Sequence, residues 1–307
     1  MLKTIIVTEE TDDRLDNFLS EMFENISRSK FQKLIKSGNV KVNDKPQKAS
    51  YKVCFKDIIE FEFLESETIE ILPENIPLDI VYEDENMLVV NKPSGMLTHP
   101  TAQETKGTLV NALLYHYGEN LSDINGDLRR GIVHRLDRNT SGLLMVAKNN
   151  SAHEFLAQEI KNRNVEKKYI AVVKGNIKDD FGLINEPIGR NPKNPCKMTV
   201  VSDGKPSLTG FKVLERFSNC TYVELDLKTG RTHQIRVHMS FINHPVLNDP
   251  LYGGTGLKIK TQDQVLQSYK LKFAKPFSGD IINLEIPPDE KFEKVLGWLK
   301  GKVKDEN

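Results

Sequence analysis

Between residues 12 and 64 the apolar positions recur first at helical and then at strand spacing. Leu15, Phe18, Leu19 and Met22 share one helical face. Ser27 stands where it can cap a second helix, in which Phe31, Leu34 and Ile35 face inward and which Gly38 ends. Residues 39–43 alternate as a strand, Asp44, Lys45 and Pro46 suit a turn, and residues 54–63 alternate again. This predicts a small α+β unit over 12–64. Residues 65–78 carry Glu65, Glu67, Glu70 and Glu74 with Pro73 and Pro77, which predicts an exposed, extended linker.

From residue 79 to 302 the pattern alternates between strand and helix without a repeat. Strands are predicted at 80–82, 87–90, 143–147 and 168–173, and a pair between 213 and 227 turns at Ser218 and Asn219. Further strands fall near 269–273 and 281–286. Helices are predicted over 109–115, after a cap at Asn150 or Ser151 with Phe155, Leu156 and Ile160 inward, and over 289–299. The order implies an α+β domain with a mixed, mainly antiparallel sheet and helices on its faces.

Composition narrows the partner only locally. The 307 residues hold 43 basic and 43 acidic side chains, so net charge says nothing about a polyanion. From residue 27 to 48, however, Arg28, Lys30, Lys33, Lys36, Lys41, Lys45 and Lys48 face a single acid, Asp44. Cys54, Cys196 and Cys220 are isolated, which suggests neither zinc nor a disulfide framework and fits a reducing cytoplasm. The apolar run at the N-terminus is too short for a signal segment, and no stretch has the length of a membrane span.

The chemistry concentrates in residues 131–144, Gly-Ile-Val-His-Arg-Leu-Asp-Arg-Asn-Thr-Ser-Gly-Leu-Leu. They set one carboxylate, Asp137, in a polar turn between Arg135 and Arg138, just before an apolar run. Most such turns merely cap a helix or close a hairpin. His-Arg-Leu-Asp, two residues, then Thr-Ser-Gly-Leu-Leu resembles the active-site motif of the RluA/RluD-type pseudouridine synthases. Lys92-Pro-Ser-Gly95, Lys167-Lys168-Tyr169, Gly230-Arg-Thr-His-Gln-Ile-Arg-Val-His238 and the loop after Ile188 are similar to further family motifs. Residues 14–19, Arg-Leu-Asp-Asn-Phe-Leu, and the basic stretch 27–43 resemble the S4 RNA-binding domain. Residues 243–253 follow the family pattern with asparagine at 243 and 248 where glycine is usual, and Tyr269 departs from a Leu-His-Ala pattern.

The resemblance implies a pseudouridine synthase fold behind an S4-like module, and isomerisation of uridine to pseudouridine in structured RNA. Because reactant and product are isomers, it implies no cofactor. Asp137 would carry the reaction, either at C1′ or by removing a sugar proton. Arg236 would pair with it, keeping it ionised and oriented, and Tyr169 would lie against the target base. Arg231 is expected to organise its loop or contact RNA, and Lys92 to support the Asp137 loop. Arg135 would fill the gap left by an extruded base, with Arg138 and Arg190 as further RNA contacts. Arg28, Lys30, Lys33 and Lys36 would neutralise phosphates. Ribosomal RNA of the large subunit is the favoured partner, transfer RNA the alternative, and a monomer the default. The spacing of His134, His233, His238 and His244 matches no common zinc pattern, so no metal is expected and supporting hydrogen bonds behind the reacting groups are. Two rival readings are a non-catalytic RNA-binding factor on an enzyme scaffold and a glycosidase pairing Asp137 with Asp249.

Overall fold

The computed structural model describes residues 2–23, 26, 28–62, 71–194, 196–255, 261 and 263–301. The chain divides into two compact units, Met1–Thr68 and Ile69–Asn307. Among the described residues no helix is long and apolar enough to cross a membrane.

The first unit contains β1 (Leu2–Ile6), α1 (Leu15–Met22), α2 (Arg28–Lys36), β2 (Val40–Val42), β3 (Lys45–Pro46) and β4 (Ile58–Glu62). Its antiparallel sheet runs β1-β4-β2-β3. Leu15 and Leu19 of α1 and Phe31 and Ile35 of α2 pack onto Val40, Val42, Ile59 and Phe61. Three expectations change here. The N-terminal apolar run is a strand of this sheet, so the unit begins before residue 12. Met22, the last residue of α1, is exposed. The turn lies at Asn43 and Asp44, both at positive φ (50° and 64°), which is the geometry of a two-residue hairpin. Ser27 and Phe63 lie outside the described residues.

Asp16 joins the two helices. It is fully buried and accepts from Arg14 Nε (3.0 Å), Arg28 Nε (3.0 Å) and Gln32 Nε2 (2.6 Å). Burial alone would raise its pKa, but these donors outweigh it and hold the carboxyl well below the usual range.

The second unit opens with residues 71–78, of which Ile71 and Leu78 pack on its core. Asn111 Nδ2 donates to Leu72 O (2.8 Å), and Gly107 N donates to Glu74 (3.0 Å). This part of the expected linker is therefore fastened to the second unit by a buried amide. Glu65, Glu67 and Glu70 lie outside the described residues.

Then follow β5 (Ile80–Glu83), β6 (Met87–Lys92), α3 (Leu109–Tyr117), β7 (Ser141–Ala147), α4 (Asn150–Lys161), β8 (Glu166–Lys174), β9 (Phe181–Asn185), β10 (Ile188–Arg190), β11 (Met198–Val200), β12 (Leu208–Arg216), β13 (Cys220–Leu227), α5 (Gln234–Phe241), β14 (Leu266–Ala274), β15 (Ile281–Glu285) and α6 (Glu290–Leu299). Asn149, one residue before the expected position, caps α4 by accepting from Ala152 N (2.9 Å).

A nine-stranded sheet runs β5-β6-β7-β14-β8-β13-β12-β9, with β15 also on β14, and β10 and β11 form a separate hairpin. Its pairs are antiparallel except β7 with β14. The architecture is thus the mixed, mainly antiparallel α+β expected. The sheet is buried on both faces, which is why β6, β7 and β8 read as unbroken apolar runs. Alternate residues sort the faces. Leu88, Val90, Leu144, Val146, Tyr169 and Ala171 join α3 and α5 on one. Met87, Val89, Leu143 and Met145 meet α4 on the other, and Ile170 and Val172 meet Phe292 and Val295 of α6. Tyr169 therefore faces α5.

Where β7 meets β14, Gly142 has φ 111°, and a Cβ there would stand 2.1 Å from Ser268 O. Gly142→Ala must part the one parallel contact in this sheet. We expect it to cost at least ~3 kcal/mol, read as a lowered urea midpoint; a midpoint within error of wild type would show that the two strands can separate freely.

Candidate active site

Asp137 sits in the loop before β7, and a second turn holds that loop by its carbonyls. Lys92, fully buried at the end of β6, donates to Pro93 O (2.7 Å), Met96 O (2.9 Å) and Arg138 O (3.0 Å). Ser94 Oγ donates to Asn139 O (2.9 Å), Gly95 N to Arg138 O (3.0 Å) and Thr98 Oγ1 to Leu136 O (3.0 Å). Burial pulls Lys92 down, to about 7, and Asp137 acts against that pull. The Lys-Pro-Ser-Gly turn thus supports the Asp137 loop by grasping the residues on either side of it.

Arg236 reaches Asp137 from α5, 99 positions along the chain, with Nη1 to Oδ2 at 3.0 Å. Arg236 is 7% exposed and is itself gripped by Asp249, which is fully buried: Nε to Oδ2 is 2.7 Å and Nη2 to Oδ1 is 3.1 Å. Burial works against the charged guanidinium, but the two carboxylates more than offset it and raise its pKa. Asp249 Oδ1 also accepts from Leu251 N (3.0 Å) and Tyr252 N (3.2 Å). The Tyr252 ring underlies the guanidinium at 5.0 Å. Its hydroxyl meets His233 Nδ1 (2.9 Å) and accepts from Met198 N (2.9 Å), tying in the β10–β11 hairpin. Asn243 and Asn248 take φ of 63° and 59° on either side of this turn, the left-handed conformation that asparagine tolerates.

These groups border a cleft of about 250 Å³ lined by Arg135, Asp137, Lys167, Tyr169, Arg231 and Arg236 among others. It is smaller than drug-sized sites of roughly 300–1,000 Å³ and suits one nucleobase with its sugar. Tyr169 lies in its wall. Burial keeps the phenol well above its ordinary range, and Asp137 adds to this, so the hydroxyl is protonated at neutral pH. In the free protein it is a proton donor rather than a base.

The other expected residues scatter. Arg135 is exposed at the cleft. Arg138 turns outward to an ion pair with Glu104. Arg190 is exposed at the end of β10. Lys30, Lys33 and Lys36 are exposed on α2, whereas Arg28 is held by Asp16. Arg231 lies before α5 rather than on it and donates to Pro206 O (3.3 Å).

The histidines serve the scaffold. His134 Nε2 accepts from Met145 N (3.0 Å), and burial pushes its pKa down to about 3. His238 Nε2 donates to Glu186 O (3.0 Å), and His244 Nδ1 donates to Lys174 O (2.9 Å). His233 caps α5 at φ 56°. Among the described residues no cluster of three or more His, Cys, Asp or Glu could hold a metal.

The glycosidase pairing fails here, because both oxygens of Asp249 are occupied by Arg236 and it cannot act as a second carboxylate across a substrate. Sequence reasoning missed Asp249 as the anchor, Tyr252 as the platform and Lys167 in the cleft. The Asp-x-x-Tyr-Gly spacing was visible, but its partner was not.

Residues 86–241 match the family model for RNA pseudouridylate synthase, and residues 13–59 match the S4 domain. The chain is 46% identical to the uncharacterized RNA pseudouridine synthase YlyB of Bacillus subtilis, over 95% of this chain and 96% of that one. It is 44% identical to ribosomal large subunit pseudouridine synthase D of Neisseria meningitidis serogroup A, over 94% of this chain and 79% of that one. The solved structure of human RNA pseudouridylate synthase domain containing 1 is 28% identical, with a TM-score of 0.57 over 80% of this chain and all of that one. The chain therefore belongs to the RNA pseudouridylate synthase family and carries an S4 domain.

Two outcomes follow from this geometry. Arg236→Lys keeps a charge but cannot serve both carboxylates; turnover should fall by at least ~100-fold with the fold intact, and wild-type turnover would remove the clamp from the reaction. The buried imidazoles also make stability depend on pH. Burial and nearby arginines lower His99 to about 4, as burial lowers His134 to about 3. The unfolded chain takes up these protons below about 6.5, while the folded chain does not until its lower values are reached. Stability from this source is therefore complete above pH 6.5 and falls as pH drops toward 4 and then 3. At pH 5 each should have lost about 1–2 kcal/mol. Urea midpoints at pH 7 and pH 5 check this, and equal midpoints would contradict it.

Proposed function

We propose that this protein converts specific uridines of large-subunit ribosomal RNA to pseudouridine in the cytoplasm, as a monomer and without a cofactor, with Asp137 as the reacting carboxylate. The observation that carries the reading is the clamp. A carboxylate only 18% exposed faces a nucleoside-sized cleft and is fixed by a guanidinium that a second, fully buried carboxylate holds in place. The ribosomal choice is supported by the relatives named for the large subunit and by the S4 domain.

The isomerisation breaks C1′–N1 and forms C1′–C5, and a proton leaves C5 while N1 gains one. No atom or electron is added. The clamp itself, one guanidinium between two carboxylates, carries a net negative charge, and at Asp137 this suits the positive character that C1′ acquires as the base departs. Asp137 either bonds to C1′ or takes the C2′ proton; both begin from the same ionised, oriented carboxylate. The Tyr169 ring offers the detached uracil a stacking surface, and its hydroxyl, protonated at rest, can exchange a proton with the base. Arg135 would occupy the stack left by the extruded nucleotide, Arg138 and Arg190 would hold neighbouring phosphates, and Arg28, Lys30, Lys33 and Lys36 would give the S4 module a salt-dependent grip.

The test is pseudouridine mapping of total RNA from cells lacking the gene and complemented with wild type or Asp137→Ala. Discrete uridines should lose the modification on deletion and regain it only with wild type. Recovery with Asp137→Ala would remove Asp137 from the chemistry, and sites confined to transfer RNA would overturn the choice of substrate.

A further inference from the structure

Lys167 and Lys168 are adjacent on β8 and point to opposite faces of the sheet. Lys168 has carboxylates at hand, Glu224 at 3.0 Å and Glu166 at 3.6 Å. Lys167 is only 7% exposed, and among the described residues no acid lies within ion-pair distance of its ammonium and no group accepts a hydrogen bond from it. Its side chain enters the cleft two residues before Tyr169, on the same face. An ammonium on a side chain this buried, without a protein partner, is a cost to the fold, and it faces the cleft that holds Asp137 and Tyr169.

The surroundings indicate what completes it. Asp137 bears electrostatically on Tyr169, His233 and Lys92, whereas burial alone acts on Lys167 and pulls its pKa down. Lys167 thus stands apart from the carboxylate that would meet C1′. A Cβ added to Gly230 would lie 3.7 Å from Lys167 Nζ, which brings the ammonium beneath the exposed Gly230–Arg231 rim. Arg231 and Arg135, both exposed, line the same cleft, and among the described residues neither pairs with a carboxylate. Three cations without acids therefore border a cleft whose deep end holds a clamped aspartate. Uracil carbonyls are neutral at rest and need no cluster of charge. A phosphodiester carries the missing negative charge, is bound well by an ammonium and by guanidinium forks, and accompanies any nucleotide whose base is drawn inside.

We propose that Lys167 is the seat for the phosphodiester of the extruded uridine, with Arg231 beside it at the rim. This rests on reading the cleft as the isomerisation site. The nucleotide would then be held at three points: sugar at Asp137, base on Tyr169, phosphate on Lys167.

The experiment measures equilibrium binding of the full chain to an unmodified transcript of large-subunit ribosomal RNA between about 50 and 200 mM KCl, with single-turnover isomerisation followed on the same RNA. Lys167→Met keeps the apolar stem and removes an unpaired buried charge, so it should fold and melt at a higher temperature than wild type. Its affinity should drop about tenfold, and the slope of log K against log salt should shrink by about 0.7–0.9, the share of one phosphate. Lys167→Arg should restore the slope, and Lys168→Met should keep it. Wild-type affinity and slope in Lys167→Met would overturn the proposal. So would a loss confined to the single-turnover rate with binding intact, which would assign the lysine to the base. If wild type isomerised no uridine, the functional reading would fall separately, and the salt slopes would still decide whether Lys167 meets a phosphate.

Discussion

Everything around the cleft is arranged so that one guanidinium can hold two carboxylates at once. Arg236 gives Nε and Nη2 to Asp249 and keeps Nη1 for Asp137. The fork allows this because its donors diverge in a fixed plane. The clamp is tolerable inside the protein only because each of its three charges has an ordered partner. Asp249 carries no freedom of its own, since two backbone amides also bind it. The position of Asp137 is thereby set from two sides, by Arg236 from α5 and by the Lys92 turn from beneath.

The sheet makes that convergence possible. Being buried on both faces, it fixes the parity of every strand residue, and a slip of one would turn Tyr169 away from α5. The parallel junction of β7 and β14 closes the sheet between strands far apart in sequence, and Gly142 is there because no side chain fits against Ser268 O. The loop that carries Asp137 leads directly into that junction. Rigidity at the site is thus inherited from a close-packed contact of the core.

Charge is divided between surfaces by role. The chain has equal numbers of acids and bases, yet α2 presents lysines and the cleft rim presents arginines without acids. Asp16 is inward and holds Arg14 and Arg28, so this acid stabilises the fold without opposing a polyanion outside. Arg138 shows the limit of reading charge by position: it adjoins Asp137 in sequence but pairs with Glu104 at the surface.

The sequence by itself determined most element types and the two-part order of the chain, and its resemblance to a known family named Asp137, Tyr169 and Arg236 for one site, while α5 and β9 were not read from it. Periodicity reports burial of a face, and a motif with several fixed positions reports a loop that must be built one way. Element ends were less legible: the cap of α4 fell at Asn149, and β1 was missed because a short edge strand has no periodicity until its partner is present. Tertiary structure alone decided which acid anchors Arg236, that residues 71–78 fasten to the catalytic unit, and that Lys167 is buried without an acid while Lys168 has two. Each of these depends on distances between residues remote along the chain, and the interaction of a charge is set by what lies within a few ångströms of it, not by its neighbours in sequence.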